Sequence, residues 1–441
     1  MTDWRMAFKK LHLDFWACNV CALVLASLFA GSLLVGLAGG YSPTQAQAEA
    51  AGTANEPPTL IGRWGDYGST NGDFSRASGV ATDSAGNVYV GDRYNNRVQK
   101  FDSEGNFVIK WGELGVDNGD FYRPEGIATD SLDNVYVTDE YNHRIQKFDS
   151  SGNFVTKWGS YGYDANGKLS YPTGVATDST NNVYVVDSSG IQKFDSAGNF
   201  LAQWSSIDGE DLAIDTSGNV YVTDSSNYRI QKYGPNGSFL ATWGELGIGD
   251  GEFYDPEGVA TDSSDNVYVA DTGNGRIQKF DSSGNFITKW DVRDSYGDLD
   301  SPNGVAVDSS GNIYVSGYAS VYKFGEDNGA APKVSATTPT SGKKGVRRDT
   351  NITATFSEQM DSATLRSWDS PAVKIAKVSN GQQVSIDDVS CDNPCRTVTI
   401  DPYSNLAKNT KYKATINTNA KDLSGKALTT NYVWTFTTGR K

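Results

Sequence analysis

The chain has 441 residues and a formal net charge of −15, a balance that argues against a nucleic-acid partner, whose phosphates need clustered cations. Its two histidines, His12 and His143, are too few for a three-histidine zinc centre. The length leaves room for two or more domains.

Arg5, Lys9 and Lys10 precede an uncharged apolar run from about Val20 to Gly40, and Ala46-Gln47-Ala48 has the small-x-small pattern of a signal-peptidase site. Residues 1–48 therefore read as an export signal, followed by a linker over 49–58. An uncleaved anchor is the alternative, because the run approaches the ~20 residues that span a bilayer; membrane contact is expected only then. Cys18 and Cys21 form a C-x-x-C that leaves with the signal, and no lipobox cysteine follows the run.

From Thr59 onward a unit recurs, most completely over Phe253–Trp290. Runs Gly258–Asp262, Val267–Asp271, Arg276–Asp281 and Phe286–Trp290 have strand length, period-two alternation and β-branched or aromatic residues, and the gaps between them carry turn chemistry. Each unit predicts a four-stranded antiparallel meander, strands a to d. Asn87, Asn134, Asn182, Asn219, Asn266 and Asn312 mark six copies, spaced as blades of roughly 40–50 residues are. The interval before Asn219 is the shortest, so the connection into the fourth copy is clipped and leaves a notch that is either a cleft or only a short loop. The sixth copy lacks a strand d, whereas Thr59–Gly65 has that pattern ahead of the first copy. A ring closed by this strand hides both edges, which an open array would expose.

These motifs, P-x-G-[VI]-A-T-D, N-V-Y-V-x-D and N-x-R-[IV]-Q-K-F-D, resemble the NHL repeat family over roughly 59–325. The resemblance implies a six-bladed β-propeller. Copies depart from it at Ala77-Ser78-Gly79 and Gly209-Glu210-Asp211, and the third and sixth lack Asn-x-Arg.

Aspartates opening the a–b and c–d hairpins, such as Asp83, Asp130 and Asp281, suit tight turns and lack the spaced carboxylates of a calcium loop. The pattern D-x-x-N-x-R recurs as Asp92/Asn95/Arg97, Asp139/Asn142/Arg144, Asp224/Asn227/Arg229 and Asp271/Asn274/Arg276. Four equal spacings predict structural Asp–Arg pairs across the b–c turn, with Asn in the left-handed position. Trp64, Trp111, Trp158, Trp204, Trp243 and Trp290, one per blade, read as inter-blade packing.

Antiparallel order puts the b–c turns and the longer, varied d–a connections on one face. There the residue just before strand a reads Ser78, Glu125, Thr173, Glu210, Glu257 and Asn303, a ring at the channel mouth with Tyr94, Tyr122, Tyr141, Tyr161, Tyr163, Tyr171, Tyr228, Tyr254 and Tyr296 around it. Glu125, Glu257, Asn303, Thr173, Tyr94 and Tyr141 are the candidate ligand-binding residues, for a protein or carbohydrate ligand, cell-wall material included. The resemblance also admits a divalent-cation-dependent lactonase or lyase, with Glu125, Glu257 and Asn303 as hard-cation ligands. No catalytic motif accompanies them, so the expected protein is non-catalytic, without cofactor or resident metal, and monomeric.

After a polar linker over 326–332, residues 333–441 contain short alternating strands at Ile352–Phe356, Val373–Val378, Thr397–Ile400, Tyr412–Ile416 and Tyr432–Thr437. With Thr338-Pro339, Asp422-Leu423-Ser424-Gly425 and Trp434-Thr435-Phe436, this part resembles the bacterial Ig-like domain of secreted and surface-layer proteins. The resemblance implies a β-sandwich acting as spacer or surface attachment. Cys391 and Cys395 bracket a tight turn and predict a disulfide outside the cell. The expectation is an all-β protein, secreted or held at a bacterial cell surface.

Overall fold

The structure, a computed structural model, describes residues 56–440 except 164, 206, 208, 295, 296, 328 and 367–371. The expected signal, most of the first linker and Tyr296 lie outside the described residues.

Six four-stranded antiparallel sheets follow one another as blades. Blade 2 is typical, with Pro124–Thr129, Val135–Asp139, Arg144–Phe148 and Phe154–Trp158 as strands a to d. Strand b is buried throughout because both sides of the blade pack on neighbouring blades, so its alternation is of size rather than polarity. Strand a of each blade lies against strand a of the next, and that of blade 6 against that of blade 1, which makes the ring complete. Closure comes from Thr59–Trp64, which pairs antiparallel with Val321–Gly325, Trp64 opposite Val321. Trp64 is 2% exposed and touches Tyr314 of blade 6 and Phe101 of blade 1, as Trp111 touches Tyr89 and Phe148.

The glycine of the P-x-G motif is what lets the strands a converge. A Cβ at Gly126 would lie 2.4 Å from the Thr173 carbonyl oxygen, and one at Gly258 equally close to that of Asn303. At the same place the a–b register shifts, between Pro124 and Ile127 and between Pro256 and Val259. These bulges turn Glu125 and Glu257 out of the regular pleat toward the channel mouth.

The hairpin aspartates fold their own turns. Asp83 Oδ1 accepts from the amides of Ala85 and Asn87 at 3.1 and 2.8 Å, and its Oδ2 accepts from the Tyr89 hydroxyl at 2.9 Å.

The last domain is a sandwich of two four-stranded sheets. One orders Val334–Thr338, Ile352–Phe356, Thr397–Pro402 and Ile386–Cys391; the other Lys344–Val346, Tyr432–Thr438, Lys411–Ile416 and Val373–Lys377. Three of these strands, Val334–Thr338, Lys344–Val346 and Ile386–Cys391, go beyond the sequence expectation, being short or edge strands with little buried surface. Trp434, Tyr412, Ile400 and Phe356 share the core, and Cys391 and Cys395 are joined by a disulfide. Gln359 accepts from the Arg63 amide at 2.9 Å and donates to the Arg63 carbonyl, while Asn393 accepts from Gly65 N–H at 3.1 Å. The sandwich thus sits on the outer edge of the strand that closes the propeller.

Candidate functional site

The repeated D-x-x-N-x-R element builds the face that carries the d–a loops. In blade 1 Arg97 Nε donates to Asp92 at 2.7 Å, while its two terminal nitrogens hold the carbonyls of Ser69, Thr70 and Asp73 in the preceding d–a loop. Blades 2 and 5 repeat this through Asp139/Arg144 and Asp271/Arg276. In blade 4 Arg229 keeps its 2.7 Å contact with Asp224. One expectation is corrected: the left-handed residue is not Asn95, Asn142, Asn227 or Asn274 but the next one, Asn96, His143, Tyr228 or Gly275. The Asn side chain instead donates to the Asp carboxylate, which binds it inside the turn.

The six residues expected just before strand a all line a central channel of about 460 Å³, with Val, Ala, Thr and Ile side chains of strands a as its wall, although Ser78, Glu125 and Glu257 lie within the first residues of their strands rather than ahead of them. They do not act alike. Ser78 is buried and donates to the carbonyls of Pro124 and Glu125 at 3.0 and 3.1 Å, tying blade 1 to blade 2. Asn303, also buried, donates its amide to the carbonyls of Ala77 and Gly317, at 2.8 and 3.3 Å, and so ties blade 6 to blade 1. Thr173 lends its backbone carbonyl to the Thr138 hydroxyl at 2.9 Å.

Glu125 and Glu257 reach the mouth, where arginines meet them. Arg93 of blade 1 places Nε 2.6 Å from Glu125 and Nη2 2.6 Å from Glu140, and Arg76 stands 3.6 Å from Glu257 across the channel. Burial pushes the Glu125 and Glu257 carboxyls up to about 7 despite these cations, and burial does the same to Asp211, whose carboxylate accepts from Val259 N–H at 3.1 Å. Arg76, Arg93, Glu140 and Asp211 were not among the sequence candidates. Only Asp211 carried a signal, since it stands where the five other copies have the motif glycine.

Around the mouth runs an aromatic ladder. The Arg123 guanidinium lies 5.5 Å from the Tyr94 ring and 4.7 Å from the Tyr141 ring, and Tyr141, Tyr171, His143, Tyr161 and Tyr163 continue in edge-to-face or tilted contacts at 4.5–5.6 Å. The tyrosines stay exposed, Tyr161 at 56%. Arg76, Arg123, Tyr171 and Asp255, each just ahead of strand a, adopt φ of 52–63° without being glycine. Such strain collects where side chains are held for a purpose.

Models of the NHL repeat match residues 74–101, 121–148, 210–233 and 253–280, a beta-propeller repeat matches 295–325, and the bacterial Ig-like domain matches 328–438. The chain joins an NHL-repeat propeller to a bacterial Ig-like domain. Protein lin-41 of Caenorhabditis elegans is 49% identical over 47 residues, 11% of this chain; the match spans only 4% of that protein's length. Among solved structures, a streptogramin B lyase aligns over 61% of this chain and 98% of its own, at 12% identity and TM-score 0.45. A gluconolactonase from Xanthomonas campestris aligns over 61% and 94%, at 14% identity and TM-score 0.45. A Bacteroides thetaiotaomicron protein of unknown function aligns over 61% and 75%, at 18% identity and TM-score 0.49. At these identities the likeness is one of fold. The four copies matched by the NHL model are those with a complete D-x-x-N-x-R, the element that ties strands b and c together in each and holds the preceding d–a loop in blades 1, 2 and 5.

Proposed function

We propose that this is an exported, non-catalytic binding protein whose propeller takes a carbohydrate or a protein loop on the face of the d–a loops. The Ig-like domain and its disulfide support an extracellular setting, since such bridges persist where thiols oxidise. The observation that carries the reading is the engagement of the mouth carboxylates by arginine: Arg93 fills the space between Glu125 and Glu140 that a hard cation would need. What the face then offers is fixed polar pairs beside exposed, rigid tyrosines, a combination suited to sugars and to peptide loops.

The test is a screen of the purified chain against glycan and peptide arrays, followed by calorimetry with Tyr141→Ala and Glu257→Gln. A ligand whose affinity falls at least tenfold in both variants supports the reading. A ligand indifferent to both would remove the face from the site. The lactonase or lyase reading draws support from carboxyls near 7, suited to proton transfer. It predicts calcium-dependent hydrolysis or elimination that Glu125→Gln abolishes.

A further inference from the structure

Blade 4 keeps the machinery that holds a d–a loop, but its d–a connection is far shorter than those of blades 1, 2 and 5. Between the strand d tryptophan and the residues opening strand a, the connection spans 65–76 in blade 1, 112–123 in blade 2 and 244–255 in blade 5, but only 205–208 in blade 4. In the three long cases one arginine binds three main-chain carbonyls at 2.7–2.9 Å, and Asn95, Asn142 or Asn274 binds a fourth at 2.8–2.9 Å. Arg229 and Asn227 have the same anchorage on Asp224, at 2.7 and 2.8 Å, yet neither reaches a carbonyl among the described residues. The Arg229 side chain is 38% exposed, against 6, 8 and 7% for Arg97, Arg144 and Arg276.

The clipped loop is compensated elsewhere, which sharpens the contrast. Gln99, Gln146 and Gln278 each accept a loop glycine N–H at 3.0 Å; Gln231 accepts instead from the hydroxyl of Tyr233, which stands where those blades have phenylalanine. Buried Ile207 joins Tyr233 in the core cluster, as Phe121 joins Phe148 in blade 2. The apolar and glutamine positions are thus filled, and the terminal arginine donors meet no loop carbonyl among the described residues.

We infer that the blade-4 notch is a second binding site, in which Arg229 and Asn227 take the main-chain carbonyls of a turn supplied by a separate peptide or protein. Carbonyl dipoles fit better than an anion because the guanidinium is already paired with Asp224 and the chain is acidic overall. A fork preset by Asp224 offers its terminal N–H groups in fixed directions, which favours a turn over an extended strand. The site is independent of the channel mouth and of whatever binds there.

The probe is a synthetic peptide of residues 112–123, the loop that Arg144 holds in blade 2, titrated into the full chain by calorimetry and by amide NMR. Binding is expected, weakened about tenfold or more by Arg229→Gln and not restored by Arg229→Lys, since glutamine loses the charge and lysine, though charged, loses the planar fork that aims the terminal N–H groups. Arg229→Gln also takes a partner from the Asp224 carboxylate, which is 1% exposed, and should lower the melting temperature, so peptide binding is compared at a temperature where both proteins are fully folded. No binding, equal affinity in Arg229→Gln, or displacement by acetate or phosphate would overturn the proposal. A second variant needs no ligand: residues 112–123 grafted in place of 205–208, with Tyr233→Phe, should raise the melting temperature and abolish peptide binding. An unchanged or lowered melting temperature in a folded graft would equally overturn it.

Discussion

Arg93→Met tests the mouth most directly. The variant keeps the length of the side chain but removes the guanidinium that lies 2.6 Å from both Glu125 and Glu140, with the three side chains only 13, 20 and 10% exposed. Breaking a buried pair typically costs about 3–5 kcal/mol, because a charge is left without a partner. The mouth opens onto a water-accessible channel, so the cost falls at or just below the bottom of that range, about 2–3 kcal/mol. At roughly 2–4 °C per kcal/mol for a domain of this size, the melting temperature should fall by about 5–10 °C.

The loss should also depend on pH, with a definite sign. Burial raises the Glu125 carboxyl to about 7, so near pH 5.5 it is mostly neutral and Arg93 does little for it; near pH 8 it is ionised and needs the cation. Melting curves of the parent and Arg93→Met at the two pH values should therefore diverge more at pH 8. Adding Glu125→Gln and Glu140→Gln to Arg93→Met should recover most of the loss, as expected for one coupled cluster. Calcium should raise the melting temperature of Arg93→Met alone, whose freed carboxylates it can bridge. An equal melting temperature for parent and variant at pH 8 would refute the account of the mouth.

Three further outcomes follow from the same geometry. With folded pKa values near 7 against an ordinary 4.5, Glu125 and Glu257 contribute stability that is complete below about pH 4.5 and lost as pH rises through 7; Glu257→Gln should flatten that decline in thermal melts. Gly126→Ala would push a Cβ to 2.4 Å from the Thr173 carbonyl and should cost about 1–3 kcal/mol by denaturant unfolding, although alanine ordinarily favours strands over glycine. Trp64→Ala, at a 2% exposed seam between blades 6 and 1, should cost about 3–5 kcal/mol; a loss under about 1 kcal/mol would mean that closure does not depend on this strand.

The ring was legible because its signals are local and repeated. The Asn before strand b fixes each blade, and the strand pattern at Trp64, met before the first copy, implies closure by simple matching. The mouth was legible only as far as backbone position reaches. Glu125 and Glu257 could be placed because their offset from strand a is constant. Arg93 could not, because it belongs to blade 1 and its partners to blade 2, and nothing in the variable position after Asp92 tells which neighbour a long side chain will cross to meet. The left-handed turn residue was assigned one place early for a related reason. Asn96, His143, Tyr228 and Gly275 share a conformation without sharing a chemistry, so the eye goes to the constant Asn beside them.

The position of the Ig-like domain changes what a spacer can mean here. The closing strand is the outermost of blade 6, and its free edge presents the Arg63 N–H and C=O and the Gly65 N–H just where the ring depends on an intact pairing with Val321–Gly325. Gln359 satisfies both Arg63 groups, as a neighbouring strand would, and Asn393, held between the bridged Cys391 and Cys395, satisfies Gly65. Arg396 adds a 3.4 Å contact to Glu104 in the c–d hairpin of blade 1, so the sandwich spans the seam. A domain tied to the propeller only through residues 326–332 would leave that edge open to pairing with other chains. Seated as it is, the sandwich protects the closure, and a pull on it is passed to the seam as well as to the linker.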